Sequence, residues 1–457
     1  MRSNHFSPAV LFIYLTIFNT ISAKSIVGDQ CTVNVKNGMN REHPPIVVKL
    51  SKPPMYVYPK MSNASSLVFQ KGEKVMVFCP GRTNQNSTAV LKPEIVLVHG
   101  KEPKTPESME SIMCTGGDKF KIDDELDIFK QISCHEEPRM SYNAIMQNVN
   151  EDCVNGQRYE IGFDLKEHGF LKTIDLCHDK KMARTLWAHA IIQPTDQDQF
   201  RYSGDGAKSF KAGCLYDNMQ MSKKEPYNLN VAYKTISIIL KNATAVNKYL
   251  STKINERKFL AKGHLIANAD KMYRSEQEST YFYANAVPMW QQVNADPGNW
   301  FFVEKYVRLL AFHKQHELEV WVGGVSTLQL ENKEIYLYYE KSPGKKVIDR
   351  RIPVPKVIFK CAVDKEAKEG LCFLVINNPY LTKTEVEAAG DKYIICKKHS
   401  LCEKLTNYDN GALGYMYCCS IQDFYVKNHE DVGVEDLKQF LNFKPMTLLT
   451  KEEIQIS

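Results

Sequence analysis

Ala261-Lys262-Gly263-His264-Leu265 begins a stretch that runs through Tyr281-Phe282-Tyr283-Ala284-Asn285-Ala286-Val287-Pro288-Met289 to Asn294, and it ends in Asn299-Trp300-Phe301-Phe302-Val303-Glu304-Lys305-Tyr306-Val307-Arg308. Its residue types suit hydrolysis of a phosphodiester. That reaction needs a base that works near neutral pH, which histidine provides, and neutralisation of charge on the phosphate oxygens, which a hydrated divalent cation provides. A hard cation such as Mg²⁺ keeps most of its waters and needs one or two protein oxygens, and an asparagine amide can be one. His264 and Asn294 are therefore the candidates for base and metal ligand. Glu304 could accept hydrogen bonds from the cation's waters, and Lys262 could hold a phosphate as a point charge. Taken singly, each has a plainer reading: His264 as a turn residue after glycine, Asn285 and Asn294 as turns or caps, Glu304 as a solvated helix position. The ordered set is what points to a site.

The flanks of this stretch are basic. Lys248, Lys253, Arg257, Lys258, Lys262, Lys271 and Arg274 are opposed only by Glu256 and Asp270. Such a run is an ordinary solvated face unless it must hold phosphates beside His264, and on the second reading Lys253, Arg257, Lys258, Lys262, Lys271 and Arg274 are nucleic-acid contacts. Apolar positions 300, 301, 303, 307, 309 and 310 after Pro297-Gly298 predict an amphipathic helix over 299–313. The β-branched run LNVAYKTISIIL at 229–240 predicts a buried strand, and ELEVWVGGVSTL and VPKVIFKCAV predict two more. CAVDKEAKEGLCFLVIN reads as two strands around a charged loop, with Cys361 and Cys372 placed to clip it by a disulfide. Upstream, residues 24 to about 200 mix short β-type runs such as IVVKL, VMVFC and AVLKPEIVLVHG with Pro, Gly and Asn breaks. The small, polar GDGAKSFKAG at 204–213 predicts a boundary.

The chain has 457 residues, 43% apolar and 25% charged, which excludes a disordered, collagenous or coiled-coil protein. Lys and Arg exceed Asp and Glu by 59 to 53, so a polyanionic partner is permitted without being demanded. Arg2 and His5, the apolar AVLFIYLTIF, and a small-residue stretch ending at Ala23 have the layout of a secretory signal. The apolar run is shorter than the ~20 residues a spanning helix needs, so the expectation is a secreted, extracellular protein with no membrane segment. Thirteen cysteines then read as disulfides with at least one left over. Seven lie between 31 and 214, six between 361 and 419, and none from 215 to 360. A zinc site on Cys396, His399 and Cys402 is the competing reading, and it lacks paired C-x2-4-C units. Asn63, Asn86 and Asn242 head glycosylation sequons.

With these residues in view, the sequence resembles the DNA/RNA non-specific endonucleases, and its secreted, cysteine-rich frame looks most like their secreted insect branch. That family's hallmark is D-R-G-H-L, an N-x-x-P-Q segment, an Asn and a W-x-x-L-E helix. The counterparts here are Ala261-Lys262-Gly263-His264-Leu265, Asn285 to Met289, Asn294, and Trp300 to Glu304. The resemblance extends from Val231-Ala232-Tyr233 to VWVGGV and RRIPVPKVIFK, about residues 225–380. It implies an α+β fold, a ββα-metal core with an antiparallel sheet, here preceded by a cysteine-rich, mainly β region. The implied organisation is a leader at 1–23, a cysteine-rich region at 24–205, a nuclease-like domain at 206–440 and a tail at 441–457. It also implies that His264 is the general base, Asn294 the ligand of Mg²⁺ or another divalent cation such as Mn²⁺, and Glu304 a partner of the metal's waters. Asn285 becomes a hydrogen-bonding member of the site, and DNA and RNA become partners without strong sequence preference.

The departures matter as much. The family's acid is Ala261 and its arginine is Lys262, which keeps a charge but loses the bidentate fork. No arginine occurs between Arg201 and Arg257, Met289 replaces the usual Gln, and Pro297-Gly298 marks an insertion. Losing one preorganised donor can cost about 10²- to 10³-fold in rate. The expectation is a nucleic-acid-binding protein with weak or residual hydrolysis; the alternatives are a fully active sugar-non-specific endonuclease degrading DNA and dsRNA, and a disulfide-rich structural protein in which the spacing is coincidence.

Overall fold

The computed structural model describes residues 29–39, 44–59, 65–80, 82–84, 90–91, 95–97, 109–122, 125–134, 140–195, 209–216, 219, 225–341, 348–450 and 453. The leader and the sequons at Asn63 and Asn86 lie outside them. In chain order, the elements that position the site are strands β1 (Ile145–Cys153), β2 (Gly156–Asp164), β3 (Phe170–Asp179) and β4 (Arg184–Ile192), then helices α1 (Leu229–Leu240) and α2 (Ala243–Tyr249). Next come the hairpin strands β5 (Leu260–His264) and β6 (Ala286–Trp290), the helical turn α3 (Gln291–Asn294) and helix α4 (Asn299–Lys314). Strands β7 (Leu318–Thr327), β8 (Pro355–Asp364), β9 (Glu369–Ile376) and β10 (Met416–Cys419) and helix α5 (Ile421–Val432) complete the set.

A nine-stranded sheet runs in the order β1-β2-β3-β4-β7-β8-β9-β10, antiparallel throughout, with the short Lys444–Pro445 strand added parallel to β9. Successive side chains on a strand face opposite ways, so a central strand feeds two cores. Along β8, Val357, Phe359, Cys361 and Val363 enter one cluster with Trp187, Trp321 and Phe424, while Ile358 and Ala362 enter the other with Trp290, Trp300 and Val303. Helix α5 covers the first face. The β5/β6 hairpin and α4 cover the second, and so does the N-terminal region, whose six-stranded antiparallel sheet contributes Val47, Val77 and Phe120 to that core.

Two expectations about organisation are corrected by this topology. Strands β1 to β4 belong to the same sheet as β7 to β10, so position 205 does not separate two folding units. Likewise residues 441–450 of the expected tail are part of the fold, since Lys444–Pro445 joins the sheet and the Leu449 N–H donates to the Tyr306 hydroxyl at 2.9 Å.

The LNVAYKTISIIL segment is also corrected: it is helix α1, not a strand. The Asn228 side chain accepts from the backbone N–H of Asn230 and Val231, satisfying donors at the helix start. Its buried residues, Ala232, Ile236, Ile239 and Leu240, recur at helical spacing, so a 3.6-residue period was present under the β-branched composition. The strands in ELEVWVGGVSTL and VPKVIFKCAV and the helix at 299–314 are as expected.

The expected Cys361–Cys372 disulfide is present, the two residues being directly opposed between β8 and β9. Five others join Cys31–Cys114, Cys79–Cys134, Cys153–Cys177, Cys396–Cys419 and Cys402–Cys418. The zinc reading therefore falls, because Cys396 and Cys402 are in disulfides and His399 Nδ1 accepts from the Leu401 N–H instead. Asn242 is exposed, and its side chain caps α2 by accepting from the Ala245 N–H. No helix among the described residues is long and apolar enough to cross a membrane.

Candidate active site

β5 and β6 pair antiparallel with Lys262 opposite Pro288 and His264 opposite Ala286. Lys262 and His264, two apart on one strand, face the same way. The Phe210 ring confirms it, lying 5.0 Å from the His264 ring and 5.0 Å from the Lys262 ammonium. Phe210 sits there because residue 211 bonds across to the 281–283 backbone, Lys211 N to Tyr281 O at 2.8 Å and Tyr283 N to Lys211 O at 3.0 Å. Tyr281 meets His264 edge-on at 4.9 Å and Phe210 at 5.2 Å, so the three rings form one cluster.

Asn285 is fully buried. Its side chain accepts from the Ile266 N–H and donates to the carbonyls of Ile266 and Thr280, each at 2.9 Å, and its own carbonyl accepts from the Leu265 N–H. Asn285 thus fixes the backbone leaving His264, and its side chain is shut away from solvent.

Asn294 ends the helical turn directly after β6. A Cβ built on Gly263 would lie 3.1 Å from Asn294 Oδ1 and 2.6 and 2.8 Å from Met289 Cε and Cβ. The amide oxygen therefore rests against the backbone of the residue before His264, where a side chain at 263 would collide first with Met289 and press on the amide. Arg257 holds this turn from outside. Its Nη2 donates to the carbonyls of Gln291 at 3.5 Å, Ala295 at 3.2 Å and Asp296 at 3.0 Å. Arg257 thus has a structural role at this turn.

His264 Nε2 is enclosed without a hydrogen-bond partner among the described residues. Burial pushes the imidazole down to about 4, Asp270 opposing the shift and Lys262 adding to it, so the ring is neutral at pH 7. Glu304 moves the other way, raised by burial to about 7, with Lys360 and Arg308 pulling it down and Asp270 pushing it up. These neighbours form a buried ion network that the sequence did not disclose. Asp270 accepts from Arg308 Nη1 at 3.1 Å through one carboxylate oxygen and from Lys360 Nζ at 2.8 Å through the other. Lys360 is wholly buried. A lysine inside the apolar strand VIFKCAV was the available signal, since such a charge is almost never buried unpaired.

The remaining basic candidates divide. Lys271 is buried, donates to the Thr173 carbonyl at 3.0 Å and is depressed by burial, so its assignment as a nucleic-acid contact is corrected. Arg274 pairs with Glu278 one helical turn on. Lys262 Nζ lies 2.6 Å from Glu225 Oε1. Lys253 is largely exposed beside Glu256 at 3.6 Å, and Lys258 is half-buried.

Among the described residues no group of three His, Cys, Asp or Glu could hold a metal ion. The candidate donors are the Asn294 amide oxygen, against Gly263, and the Glu304 carboxylate, which shares Asp270 as an electrostatic neighbour with His264; both are hard oxygens suited to a cation that retains its waters and unsuited to a soft or tetrahedral zinc centre.

A hairpin carrying a histidine, followed by a helix carrying a carboxylate, is the ββα arrangement of metal-dependent nucleases. The family model described as DNA/RNA non-specific endonuclease matches residues 154–424, and the chain belongs to that family. Relatives align far beyond this core. A salivary endonuclease of Lutzomyia longipalpis is 25% identical over 433 residues, covering 93% of this chain and 90% of that protein. The salivary protein Tsal2A of Glossina morsitans morsitans is 22% identical over 426 residues, 90% of this chain and 94% of its own. A salivary endonuclease of Culex quinquefasciatus is 25% identical over 322 residues, 67% and 74% of the two chains. A solved EndoG/EndoGI complex is weakly similar, with TM-score 0.26 and 14% identity over 48% of this chain and 80% of that one.

Proposed function

We propose that this protein is a secreted endonuclease that binds DNA and RNA through their backbones without strong sequence preference and hydrolyses them weakly, with a divalent cation such as Mg²⁺ or Mn²⁺. One observation carries the reading: the Asn294 amide oxygen lies against the backbone of Gly263, the residue before His264. Asn294 would hold the hydrated cation, with Glu304 accepting from its waters, and the cation when bound would neutralise charge on the phosphodiester oxygens. His264, neutral at pH 7, is the acceptor for the proton of an attacking water. The arrival of a phosphate anion would strengthen it as a base, since a nearby negative charge favours the imidazolium. Asn285 and Arg257 hold these groups in place.

The weakness has physical causes. A base depressed to about 4 is poorly matched to pH 7. Lys262 is engaged by Glu225 and offers no guanidinium fork, Ala261 brings no carboxylate, and Lys271, Arg274 and Arg257 are turned to protein groups. The salivary relatives, the six disulfides and the exposed Asn242 sequon support secretion and glycosylation.

The test is plasmid nicking and dsRNA degradation by purified protein with and without Mg²⁺, beside His264→Ala and Asn294→Ala. Slow, EDTA-sensitive cleavage lost in both variants is expected, with binding retained. Cleavage that survives both substitutions would place the chemistry elsewhere, and cleavage at the rate of a fully active nuclease would remove the attenuation.

A further inference from the structure

Glu225 lies outside every motif read from the sequence, in the segment that leads into α1. Its Oε1 is 2.6 Å from Lys262 Nζ and also accepts from the Tyr283 hydroxyl at 2.8 Å. The Lys262 ammonium is held over two aromatic faces, Phe210 at 5.0 Å and Tyr283 at 5.7 Å. Its backbone is fixed in the β5/β6 ladder opposite Pro288. Lys262 and His264 share one face of that strand, so a phosphodiester lying against His264 has Lys262 as its adjacent cation. In the nucleic-acid-free protein, that cation already has an anion.

We propose that Glu225 is an affinity-setting residue of the site, an internal carboxylate on the Lys262 ammonium that a backbone phosphate must replace. The inference rests on reading the site as a nucleic-acid site. An ammonium has three donors but one unit of charge, and beside a carboxylate it contributes almost nothing to the attraction of a polyanion. Glu225 and Lys262 are each about one-third exposed, so exchange requires rotation of the glutamate into water and no opening of the fold. Charge that the sequence assigns to the nucleic-acid surface is thereby withheld from it until a phosphate arrives.

The experiment is a salt titration of binding to a short DNA duplex in EDTA, using wild type, Glu225→Gln, Lys262→Gln and the double variant. Glutamine keeps the shape and the Tyr283 contact and removes the charge. Glu225→Gln is expected to bind about two- to fivefold more tightly, the range of a partly exposed ion pair. Its log K against log salt should keep nearly the wild-type slope, because Lys262 reaches the same phosphate in both complexes, whereas Lys262→Gln should flatten it by about 0.9. In the Lys262→Gln background the same substitution should lose most of this gain, because the effect runs through one pair. Wild-type binding with an unchanged or weakened Glu225→Gln overturns the exchange and leaves the site reading intact. Equal gains in both backgrounds overturn it too, since they would mark a general charge effect. Absence of binding by all four proteins overturns the site reading and this inference together.

Discussion

Replacing Glu304 by glutamine tests the energetics of the site, because the two side chains match in shape and differ in charge. In the folded protein burial lifts the carboxyl from its ordinary 4.5 to about 7, against the pull of Lys360 and Arg308. Between these values the folded state keeps a proton that the unfolded chain releases. The stability contributed by that proton is complete below 4.5 and is lost as pH rises through 7. The difference, 7 less 4.5, is 2.5 units, and at about 1.36 kcal/mol per unit the ionised carboxylate costs the fold up to about 3 kcal/mol at pH 8. Glu304→Gln is neutral throughout and escapes that cost. It should be more stable than wild type by up to about 3 kcal/mol at pH 8, with the advantage vanishing toward 4.5, while cleavage is lost. Urea unfolding of both proteins in EDTA across this range, followed by tryptophan fluorescence, measures the difference. A variant less stable than wild type at pH 8 would refute the reasoning, because the two buried cations would then outweigh desolvation.

The same shifts place the acid limb of the cleavage rate near pH 7, where Glu304 ionises, and not near 4, where His264 does; a pH–rate profile with its limb well below 6 would contradict this. Gly263→Ala would drive a methyl into Met289 and Asn294 and should lower the cleavage rate by about 10²-fold with little loss of binding, read by single-turnover cleavage. Arg257→Gln removes three bonds to the 291–296 carbonyls and should raise the Mg²⁺ concentration for half-maximal cleavage by about tenfold, as loss of charged hydrogen bonds does. Lys271→Met should lower the unfolding midpoint and leave the salt slope of binding unchanged, and a shallower slope would return Lys271 to the nucleic-acid surface.

The stretch that carries the candidate site could be picked out because its parts are close in sequence and their order is constrained. The 299–314 helix followed from periodicity, and the Cys361–Cys372 pairing from a strand-loop-strand pattern. What escaped depends on partners that spacing cannot reveal. Lys271 looked like any lysine of a basic run, yet its acceptor, the Thr173 carbonyl, lies 98 residues away. Asp270 was visible only as a charge opposing that run, and the ion network appeared once Arg308 and Lys360 were brought to it from α4 and β8. The α1 segment failed differently, because β-branched composition was weighed above a period that was already there. The boundary near 205 failed because a polar linker says nothing of whether the strands on its two sides pair, as β4 and β7 do.

Strand β8 bears a cross-link on one face and the Lys360 ammonium on the other, at adjacent residues. It is also paired on both edges, with β7 and β9. For local opening this means that the floor of the site has no low-cost excursion of its own. The disulfide opposes separation of β8 from β9, and any displacement of β8 also costs the Lys360–Asp270 pair, so the amides around position 360 should exchange with solvent only on near-global unfolding. The opposite wall is held more lightly, since Phe210 and Glu225 rest on the hairpin by side-chain contacts and a short backbone bridge.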